Sequence, residues 1–331
     1  MSIAPNKVLV TGSSGFIGHH LVKKLVADNA AVLGVDIQAP QSAVDGYEFI
    51  QCDICHADRL MTIIKEYAPT AVIHLAARTD LDETKNLSGY AANVDGVRNL
   101  VDAIRTTPSV QRCIFTSSQM VCKPGYSPKN SDDYYPHTVY GQSKVYTERI
   151  VKECDGGGVT WCITRPTTVW GPGMSRHYQT LFYLIHKGRY FHVGNRPLYK
   201  TYGYVENVAF QYMKLLAAED DAIHRKTFYV ADYQPICLQQ WLDAFQLELE
   251  APRIPTVPFW FAKLGALAGD TLSYAGIKFP FNSFRLNNIL TEYQFDLIDT
   301  ERICGALPYN ISEGIRITSA WLTNNVLKNT N

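Results

Sequence analysis

The sequence predicts an α/β fold in which a doubly wound parallel sheet is joined to a smaller, mixed α/β C-terminal cap. Over the first 170 residues, short apolar runs alternate with longer helical patterns. The short runs are apolar throughout, which is typical of parallel strands covered by helices on both faces. After residues 171–173 the alternation gives way to short helices, prolines and aromatic residues. We therefore expect a sheet domain over residues 1–170 and about 203–235, and a cap over 171–202 and 236–331.

Each element of the sheet domain has its own sequence signal. The predicted strands are, in order, KVLVTG, AVLGVD, AVIHLAA, RCIFTSS and TWCITRP. The helical patterns between them are GFIGHHLVKKLVADN, ADRLMTIIKEYA, GYAANVDGVRNLVDAIRT and the stretch around TVYGQSKVYTERI. Downstream, YQTLFYLIHKGRYF has a helical pattern, YGYVENVAFQYMKLLAAE reads as a strand end that runs into a helix, and KTFYVAD is a further strand. Alternation of this kind predicts a parallel sheet.

Composition and charge exclude several classes of function. The formal net charge is zero, so we expect a small-molecule partner and neither nucleic acid nor an anionic membrane surface. The apolar stretch VPFWFAKLGALAGDTLSYAGI carries Lys263 and Asp270, which predicts a core or lid helix without membrane insertion. Eight scattered cysteines are typical of free thiols in a reducing, cytoplasmic compartment. Cys52 and Cys55 lack the second cysteine pair of a zinc site, so we expect no metal.

A glycine-rich turn stands between the first strand and the first helix. Gly12, Gly15 and Gly18 form a G-x-x-G-x-x-G spacing there. Glycine lets the backbone approach a pyrophosphate, and the following helix offers free N–H groups and the positive end of its dipole. Asp36 ends the second strand, where a carboxylate can accept hydrogen bonds from ribose hydroxyls and repel a 2′-phosphate. The next residues, IQAP, contain no arginine or lysine, so the predicted cofactor is NAD rather than NADP.

The stretch TVYGQSKVYTERI places Tyr140 and Lys144 four positions apart, which makes them neighbours on a helix. A lysine ammonium beside a phenol favours the phenolate, and a tyrosine tuned in this way can exchange protons near neutral pH. The spacing alone does not decide the role, because Tyr183 and Lys187 repeat it elsewhere. Ser118 follows the strand RCIFTSS, 22 residues before Tyr140. Its hydroxyl could bind a substrate oxygen, or it could simply cap the strand end.

Ten motifs, taken together and in order, make the chain similar to a known family. They are TGSSGFIG, Asp36, CDI, HLAA, NVDGVRNL, FTSS, YGQSK, TRPTTVWGPG, YGYVENVA and ISEGIRITSAWL. With them the sequence resembles, over nearly its whole length, the extended short-chain dehydrogenase/reductase family, in its nucleotide-sugar epimerase/dehydratase branch. The resemblance implies a Rossmann-type NAD-binding domain and a substrate-binding cap. It also implies a homodimer formed by the helices around residues 90–107 and 138–153.

The resemblance assigns roles to individual residues. Tyr140 would be the general acid/base, Lys144 would lower its pKa and hold the nicotinamide ribose, and Ser118 would bind the reacting oxygen. Asn93 would also tie a helix to the sheet. The implied cofactor-binding set is Gly12, Gly15, Phe16, Ile17, Gly18, Asp36, Asp53, Ile54, Leu75, Ala76, Ala77, Asn93, Thr116, Tyr140, Lys144 and Pro166.

The implied substrate-binding residues are Ser118, Gln119, Met120, Lys200 and Arg285, and three of these positions depart from the family pattern. Dehydratases of this branch carry an acid pair directly after the catalytic hydroxyl, but Gln119 and Met120 cannot act as acids or bases, so dehydration is not expected. Lys200 stands where the branch commonly has a diphosphate-binding arginine, and Arg285 stands near the place of a second one. Each could bind phosphate or be a solvated surface charge.

The leading hypothesis is an NAD-dependent epimerase that acts at C4 of a nucleotide-linked sugar through a 4-keto intermediate. Two alternatives are a nucleotide-4-keto-sugar reductase and an oxidoreductase similar to 3β-hydroxysteroid dehydrogenase. A third is an NAD-binding module without catalysis, against which the presence of Ser118, Tyr140 and Lys144 argues. The aromatic residues of the cap would suit a sterol or a plain hydrophobic core: Tyr178, Phe182, Tyr183, Phe259, Trp260 and Phe261.

Overall fold

A computed structural model of the chain describes residues 6–40, 42, 44–274 and 281–328. Its strands are β1 (Lys7–Thr11), β2 (Ala31–Asp36), β3 (Tyr47–Gln51), β4 (Ala71–His74), β5 (Arg112–Thr116), β6 (Thr160–Pro166), β7 (Thr168–Trp170), β8 (His192–Val193), β9 (Tyr199–Lys200), β10 (Tyr202–Tyr204), β11 (Lys226–Val230), β12 (Ile236–Cys237) and β13 (Thr256–Val257). Its α-helices are α1 (Phe16–Ala27), α2 (Ala57–Tyr67), α3 (Ala91–Arg105), α4 (Val139–Glu153), α5 (Arg176–His186), α6 (Val205–Ala217), α7 (Asp220–Ile223), α8 (Leu238–Glu248), α9 (Phe259–Tyr274), α10 (Ser283–Leu290), α11 (Ile298–Cys304) and α12 (Ile311–Leu322).

The central sheet has seven strands in the order β11-β6-β5-β4-β1-β2-β3, and all its pairings are parallel. This confirms the predicted doubly wound α/β fold. Apolar residues of α2, α3 and α4 share one core cluster with residues of the sheet. Helices α1 and α6 contact each other and pack against β1 and β5. The strand order reverses between β1 and β4, which is the point where ligands bind in open sheets of this kind.

One strand of the sheet was absent from the sequence prediction. Strand β3 is an edge strand that pairs only with β2. Its sequence, YEFIQ, is half-buried or exposed along its whole length and contains Glu48 and Gln51. An edge strand needs no continuous apolar run, because only part of its surface is covered by the core.

The described chain divides into two compact units. The first contains the chain up to Val169, Gly203–Tyr233 and Asp296–Pro308. The second contains Trp170–Tyr202, Gln234–Phe295 and the chain from Tyr309. Residues 296–308, which the sequence analysis placed in the cap, group with the first unit here, and the contacts of α11 explain the difference. Within this segment the Thr300 hydroxyl donates to the Tyr229 carbonyl of β11, at 2.7 Å.

The second unit has its own hydrophobic core. The Trp241 and Phe245 rings of α8 stack edge-on at 5.0 Å, and both contact the Trp170 ring and the Phe182 ring. Phe182, one of the aromatic residues that would have suited a sterol, is therefore part of this core. The capping box of Asn310 and Glu313 begins α12, which contacts α8.

The described residues carry neither a membrane-spanning helix nor a metal-binding cluster. There, no helix combines the length and apolar character needed to span a bilayer. The same residues contain no cluster of three or more histidine, cysteine or carboxylate side chains that could hold a metal ion. All eight cysteines lie within the described ranges and are free thiols.

Candidate active site

The predicted site residues of the first unit stand at one edge of the sheet. In a parallel sheet the carboxyl ends of all strands lie together. Strand β1 ends at Thr11, before the glycine turn, and β4 ends at His74, before Leu75, Ala76 and Ala77. Strand β5 ends at Thr116, before Ser118. The remaining strand-end residues of the predicted set are Asp36 on β2 and the buried Pro166 on β6.

The glycine turn has room only for glycine. Gly12 has a φ of 72°, and a Cβ atom there would stand 2.6 Å from the backbone nitrogen of Ala76. A Cβ at Gly18 would overlap the carbonyl oxygen of Gly12. Gly15 is the N-cap of α1 and no side chain caps the helix, so the first N–H groups, including those of Phe16 and Ile17, are left for another acceptor. A tight turn that leads into an uncapped helix start fits the pyrophosphate of a dinucleotide.

Asp36 is tied to the same turn. One of its carboxylate oxygens accepts from the backbone N–H of Ser14 and the other from that of Gln38, each at 3.0 Å. A carboxylate offers about four acceptor positions, so about two remain for ribose hydroxyls. The arrangement fits NAD, because the carboxylate is fixed beside the turn and no basic side chain lies between Ile37 and Pro40.

The loop after β3 is held against α3. The Asp53 carboxylate accepts from the backbone N–H of Cys55 at 2.8 Å, and the Asn99 side chain donates to the carbonyl oxygens of Ile54 and Cys55. Ile54 is buried, and its side chain fills the space above Gly96 of α3. These bonds fix Asp53 and Ile54, two members of the implied cofactor-binding set, against α3.

Asn93 links three segments of the chain. Its side-chain oxygen accepts from the backbone N–H of Arg78, and its amide donates to the Arg78 carbonyl and to the Ser143 hydroxyl. The Ser143 hydroxyl in turn donates to the Tyr140 carbonyl, at 2.7 Å. Asn93 therefore connects the loop after β4 to the helix that carries Tyr140.

Lys144 is buried to 98% beside the end of β5. Its ammonium group donates to the carbonyl oxygen of Thr116, at 2.9 Å. Burial lowers the pKa of Lys144 to about 8, although the negative charge of Glu148 acts in the opposite direction. Tyr140, one helical turn earlier, is also buried, and its ring centroid lies 6.0 Å from that of Tyr90. The chain thus delivers a tyrosine and a lysine from one helix to the carboxyl edge of the sheet.

Ser118 begins a short 3₁₀ turn formed by Gln119–Val121. Its hydroxyl oxygen accepts from the backbone N–H of Met120, at 3.1 Å. The capping role considered for this serine is therefore present in the structure. The capping bond uses only a lone pair of the hydroxyl oxygen, so the O–H group of Ser118 can still donate a hydrogen bond. Gln119 and Met120 are half-buried, and the Gln119 amide reaches the Thr168 hydroxyl at 3.4 Å.

A buried charge network lies one turn further along α4, and the sequence interpretation missed it. Both carboxylate oxygens of Glu148 accept from the Arg165 guanidinium at 2.8 Å, and the Ser117 hydroxyl donates to the same carboxylate at 2.6 Å. The Tyr134 hydroxyl also donates to Glu148, at 2.9 Å. The spacing of Tyr140, Lys144 and Glu148, four residues apart each time, is the signal that could have revealed the network.

The two predicted phosphate-binding residues of the cap differ in environment. Lys200 is buried, and its ammonium group donates to the Asn288 carbonyl of α10 at 2.7 Å and lies over the Tyr293 ring. Burial lowers the pKa of Lys200 to about 8. Arg285 is exposed on α10, the helix that Lys200 contacts. Lys200 is therefore not a solvated surface charge, whereas Arg285 is free to reach solvent or a ligand.

The sequence matches curated proteins of two kinds. It is 29% identical over 247 residues to the 3 beta-hydroxysteroid dehydrogenase/Delta 5-->4-isomerase of Mycobacterium tuberculosis, covering 70% of this chain and 66% of that protein. It is 27% identical over 323 residues to the N-acetyl-alpha-D-glucosaminyl-diphospho-ditrans,octacis-undecaprenol 4-epimerase of Escherichia coli O157:H7, covering 94% of this chain and 93% of that protein. The chain thus spans slightly under two thirds of the mycobacterial protein and nearly all of the epimerase.

A solved structure and a family model also match the chain. The UDP-glucose 4-epimerase of Thermus thermophilus in complex with NAD has a TM-score of 0.70 and 20% identity, over 96% of this chain and 99% of that one. The similarity supports the fold. The model of the NAD dependent epimerase/dehydratase family matches residues 8–231, about two thirds of the chain. The protein therefore belongs to the NAD-dependent epimerase/dehydratase family, whose members are NAD-dependent enzymes of the extended short-chain dehydrogenase/reductase type.

Proposed function

We propose that the protein is a C4 epimerase of nucleotide-linked sugars, with Ser118, Tyr140 and Lys144 as its catalytic residues. One observation carries the proposal. The buried ammonium group of Lys144 donates a hydrogen bond to the carbonyl oxygen of Thr116, which lies two residues before Ser118. Lys144 and Tyr140 lie on the same helix, α4. A phenol, a cation and a hydroxyl donor at the carboxyl edge of a dinucleotide-binding sheet form a proton-exchange site for a secondary alcohol.

Each residue has a distinct task in this proposal. The Tyr140 phenolate accepts the proton of the sugar C4 hydroxyl and returns it when the alcohol forms again. The positive charge of Lys144 stabilises the phenolate, and the Ser118 hydroxyl donates a hydrogen bond to the C4 oxygen. NAD, when bound, accepts the hydride from C4 and gives it back. Net inversion requires that the 4-keto sugar turns within the site between the two transfers.

The cap supplies the proposed contacts to the carrier of the sugar. Lys200 has three N–H donors and uses one of them on Asn288, so two remain for a phosphate oxygen. Arg285 is exposed on the helix that Lys200 contacts and would add a bidentate contact. The epimerase relative from Escherichia coli, which aligns over most of this chain, acts on a sugar joined through a diphosphate, and this supports a diphosphate-linked substrate.

A hydroxysteroid dehydrogenase activity is the second candidate, because the mycobacterial relative has comparable sequence identity. The aromatic residues considered for sterol binding do not form one surface. Phe182 lies in the core of the second unit, whereas Phe259, Trp260 and Phe261 are exposed on α9. A sterol substrate would make Lys200 and Arg285 dispensable. If alanine at both positions left turnover and apparent affinity for the nucleotide sugar unchanged, the sugar-nucleotide proposal would fail.

The first experiment measures cofactor and turnover together. The purified protein is denatured, the released nicotinamide dinucleotide is quantified by chromatography, and the native enzyme is incubated with a panel of nucleotide sugars. We expect near-stoichiometric NAD and C4 isomerisation without added cofactor. An empty protein that consumes NADH with a 4-keto sugar would identify a reductase instead.

A matched pair of variants tests the assignment of Tyr140. Tyr140→Phe should reduce turnover by at least about a hundredfold, because proton transfer by a positioned side chain contributes about that much or more. Tyr183→Phe is the control, because it also removes a hydroxyl from a Tyr-x-x-x-Lys pair but lies on α5 in the second unit. Full turnover by Tyr140→Phe would eliminate the proposed mechanism.

A further inference from the structure

Helix α9 has its large apolar side chains on the outside. Trp260, Phe261 and Leu264 are 63%, 57% and 59% exposed, and Leu267 is 49% exposed. The opposite face carries Ala262, which is 2% exposed, together with Ala266 and Gly269, which are also buried. A helix of a water-soluble domain normally buries its larger apolar residues. In α9 the small residues are buried and the large apolar residues are exposed. Of the expected core or lid helix, only the small-residue face has the burial of a core helix.

The exposed residues form one continuous stripe. Trp260, Leu264 and Leu267 recur at the spacing that places side chains along one face of a helix. Phe261 packs edge-on against Trp260, with 5.8 Å between ring centroids, and Phe259 extends the stripe at the start of the helix. We define these five residues as the α9 face. Their combined exposed surface is roughly 500 Å², near the upper limit for an apolar patch on an ordinary monomer.

The exposed charged side chains carried by α9 and by α10, the helix that contacts it, are Lys263 and Arg285, and both are positive. Among the described residues from Ala251 to Thr291, the exposed charged side chains are Arg253, Lys263 and Arg285. The one carboxylate of that range, Asp270, is half-buried and accepts from the backbone N–H of Ser283 at 3.2 Å. Lys263 lies within the apolar stripe, where its long side chain can follow the apolar surface while its ammonium group reaches an anion.

We propose that the α9 face binds the surface of an anionic lipid bilayer, with the helix lying in the membrane interface. An apolar stripe with tryptophan and phenylalanine, bordered by basic residues, has the composition of an interfacial helix. Tryptophan favours the boundary between acyl chains and headgroups because its ring is apolar and its N–H is polar. This revises the sequence expectation of no membrane insertion, since one side of α9 would enter the interface although no helix of the described residues can span a bilayer.

A second copy of the chain fits the α9 face less well. A stable protein interface covers about 800 Å² on each partner, more than the exposed area of this face. Two α9 faces that met around a two-fold axis would also bring the positive charges of the two Lys263 side chains together, and α9 itself carries no exposed carboxylate to compensate. An anionic lipid surface places negative charge opposite Lys263, which a second α9 face would not.

The test is flotation of the full-length protein with lipid vesicles. We expect binding to vesicles of phosphatidylcholine mixed with phosphatidylglycerol, and much weaker binding to phosphatidylcholine alone. The double variant Trp260→Ser/Leu264→Ser should bind about tenfold more weakly or worse, because it removes two large apolar side chains. The double variant Leu247→Ser/Ile298→Ser is the control. It removes two apolar residues that are 71% and 62% exposed outside α9, and it should bind like the original protein.

Three results would overturn the proposal. These are no binding to either vesicle, equal binding to both vesicles, and equal loss of binding in both double variants. Light scattering of the α9 variant distinguishes one further case: a dimer that becomes a monomer, without vesicle binding, identifies the face as a contact between copies. The inference is independent of the proposed reaction, because vesicle binding is measured without substrate and the α9 variant should keep its turnover of a water-soluble substrate.

Discussion

At the scale of single residues, the candidate site contains a buried cation, the ammonium group of Lys144, held by specific hydrogen-bond and charge contacts. Lys144 reaches the Thr116 carbonyl, and the carboxylate one turn further on, Glu148, is held by Arg165. The carboxylate raises the pKa of Lys144, while burial lowers it more strongly. The balance leaves the pKa at about 8, so Lys144 is charged at neutral pH but titrates just above it.

The titration of Lys144 predicts a pH dependence. The stabilised phenolate needs the ammonium form, so kcat should fall as the pH rises through about 8. Stability has the opposite sign. The unfolded lysine keeps its proton up to about 10.5 and the buried one loses it near 8, so the free energy of unfolding should increase with pH between these values. Measurements of kcat and of chemical denaturation over a pH series test these two predictions. A kcat that stays constant from neutral pH to well above 8 would contradict the predicted fall in activity.

Glu148→Gln should move that profile. Without the carboxylate charge the pKa of Lys144 falls further, so the decline of kcat should begin at a lower pH. The variant also leaves Arg165 as a buried cation without its anion, which costs about 3–5 kcal/mol of stability. The double variant Glu148→Gln/Arg165→Met removes both charges and should recover stability but not the original profile. An unshifted profile in the folded double variant would show that Glu148 has only a structural role.

Sequence reasoning placed Ser118 after a strand end and Tyr140 and Lys144 on one helix, and the structure has them after β5 and on α4, although their catalytic role stays a prediction. It missed Glu148 because this residue lies on helix α4 while its partner, Arg165, lies on strand β6, and only the folded chain brings the two together. The cap residues show the same limit. A sequence cannot reveal that Lys200 is buried against Asn288, since that depends on how β9 and α10 pack.

At the scale of elements, the turn from β1 into α1 is fixed by sterics more than by composition. The strand carries the turn to the backbone of Ala76, and only glycine fits between them. Element prediction succeeded wherever strands are buried on both faces. It missed β3, an edge strand with polar residues, and it did not foresee that α11 packs against α6 and β11. For α9 the sequence predicted an apolar helix, but apolar composition alone does not determine which side of a helix is exposed to water.

Two glycine variants separate backbone strain from steric overlap at this turn. Gly12→Ala and Gly158→Ala both place alanine at a positive φ, of 72° and 84°, but a Cβ at Gly158 has nothing within 4 Å. Each substitution should cost about 1–2 kcal/mol for the backbone conformation. Gly12→Ala should in addition lose bound NAD, because its Cβ would push Ala76 away from the turn. Chromatographic NAD quantification of both proteins measures this, and full NAD content in Gly12→Ala would contradict the role of the turn.

At the scale of the whole molecule, the homodimer through α3 and α4 remains a prediction. The exposed apolar residue on that surface is Tyr146, which is 43% exposed. We expect light scattering to give about twice the chain mass of 37.2 kDa. Tyr146→Glu should shift the protein to the single-chain mass, because a charge would be buried in the interface. Ile311→Glu is the control: this residue is 41% exposed on α12, and its substitution should leave the mass of the dimer unchanged. A single-chain mass for the original protein would refute the dimer.

The strand order has a consequence for how the chain can be synthesised and divided. Strand β6, which ends at Pro166, is covered on its outer side by β11, which begins at Lys226. Between them in the sequence comes a segment of the other unit, and α11 joins the sheet unit later still. A ribosome must therefore release most of the chain before the first unit can close. A fragment cut near residue 170 would lack β11 and expose the buried, apolar edge of β6 to neighbouring molecules, so we expect such a fragment to aggregate.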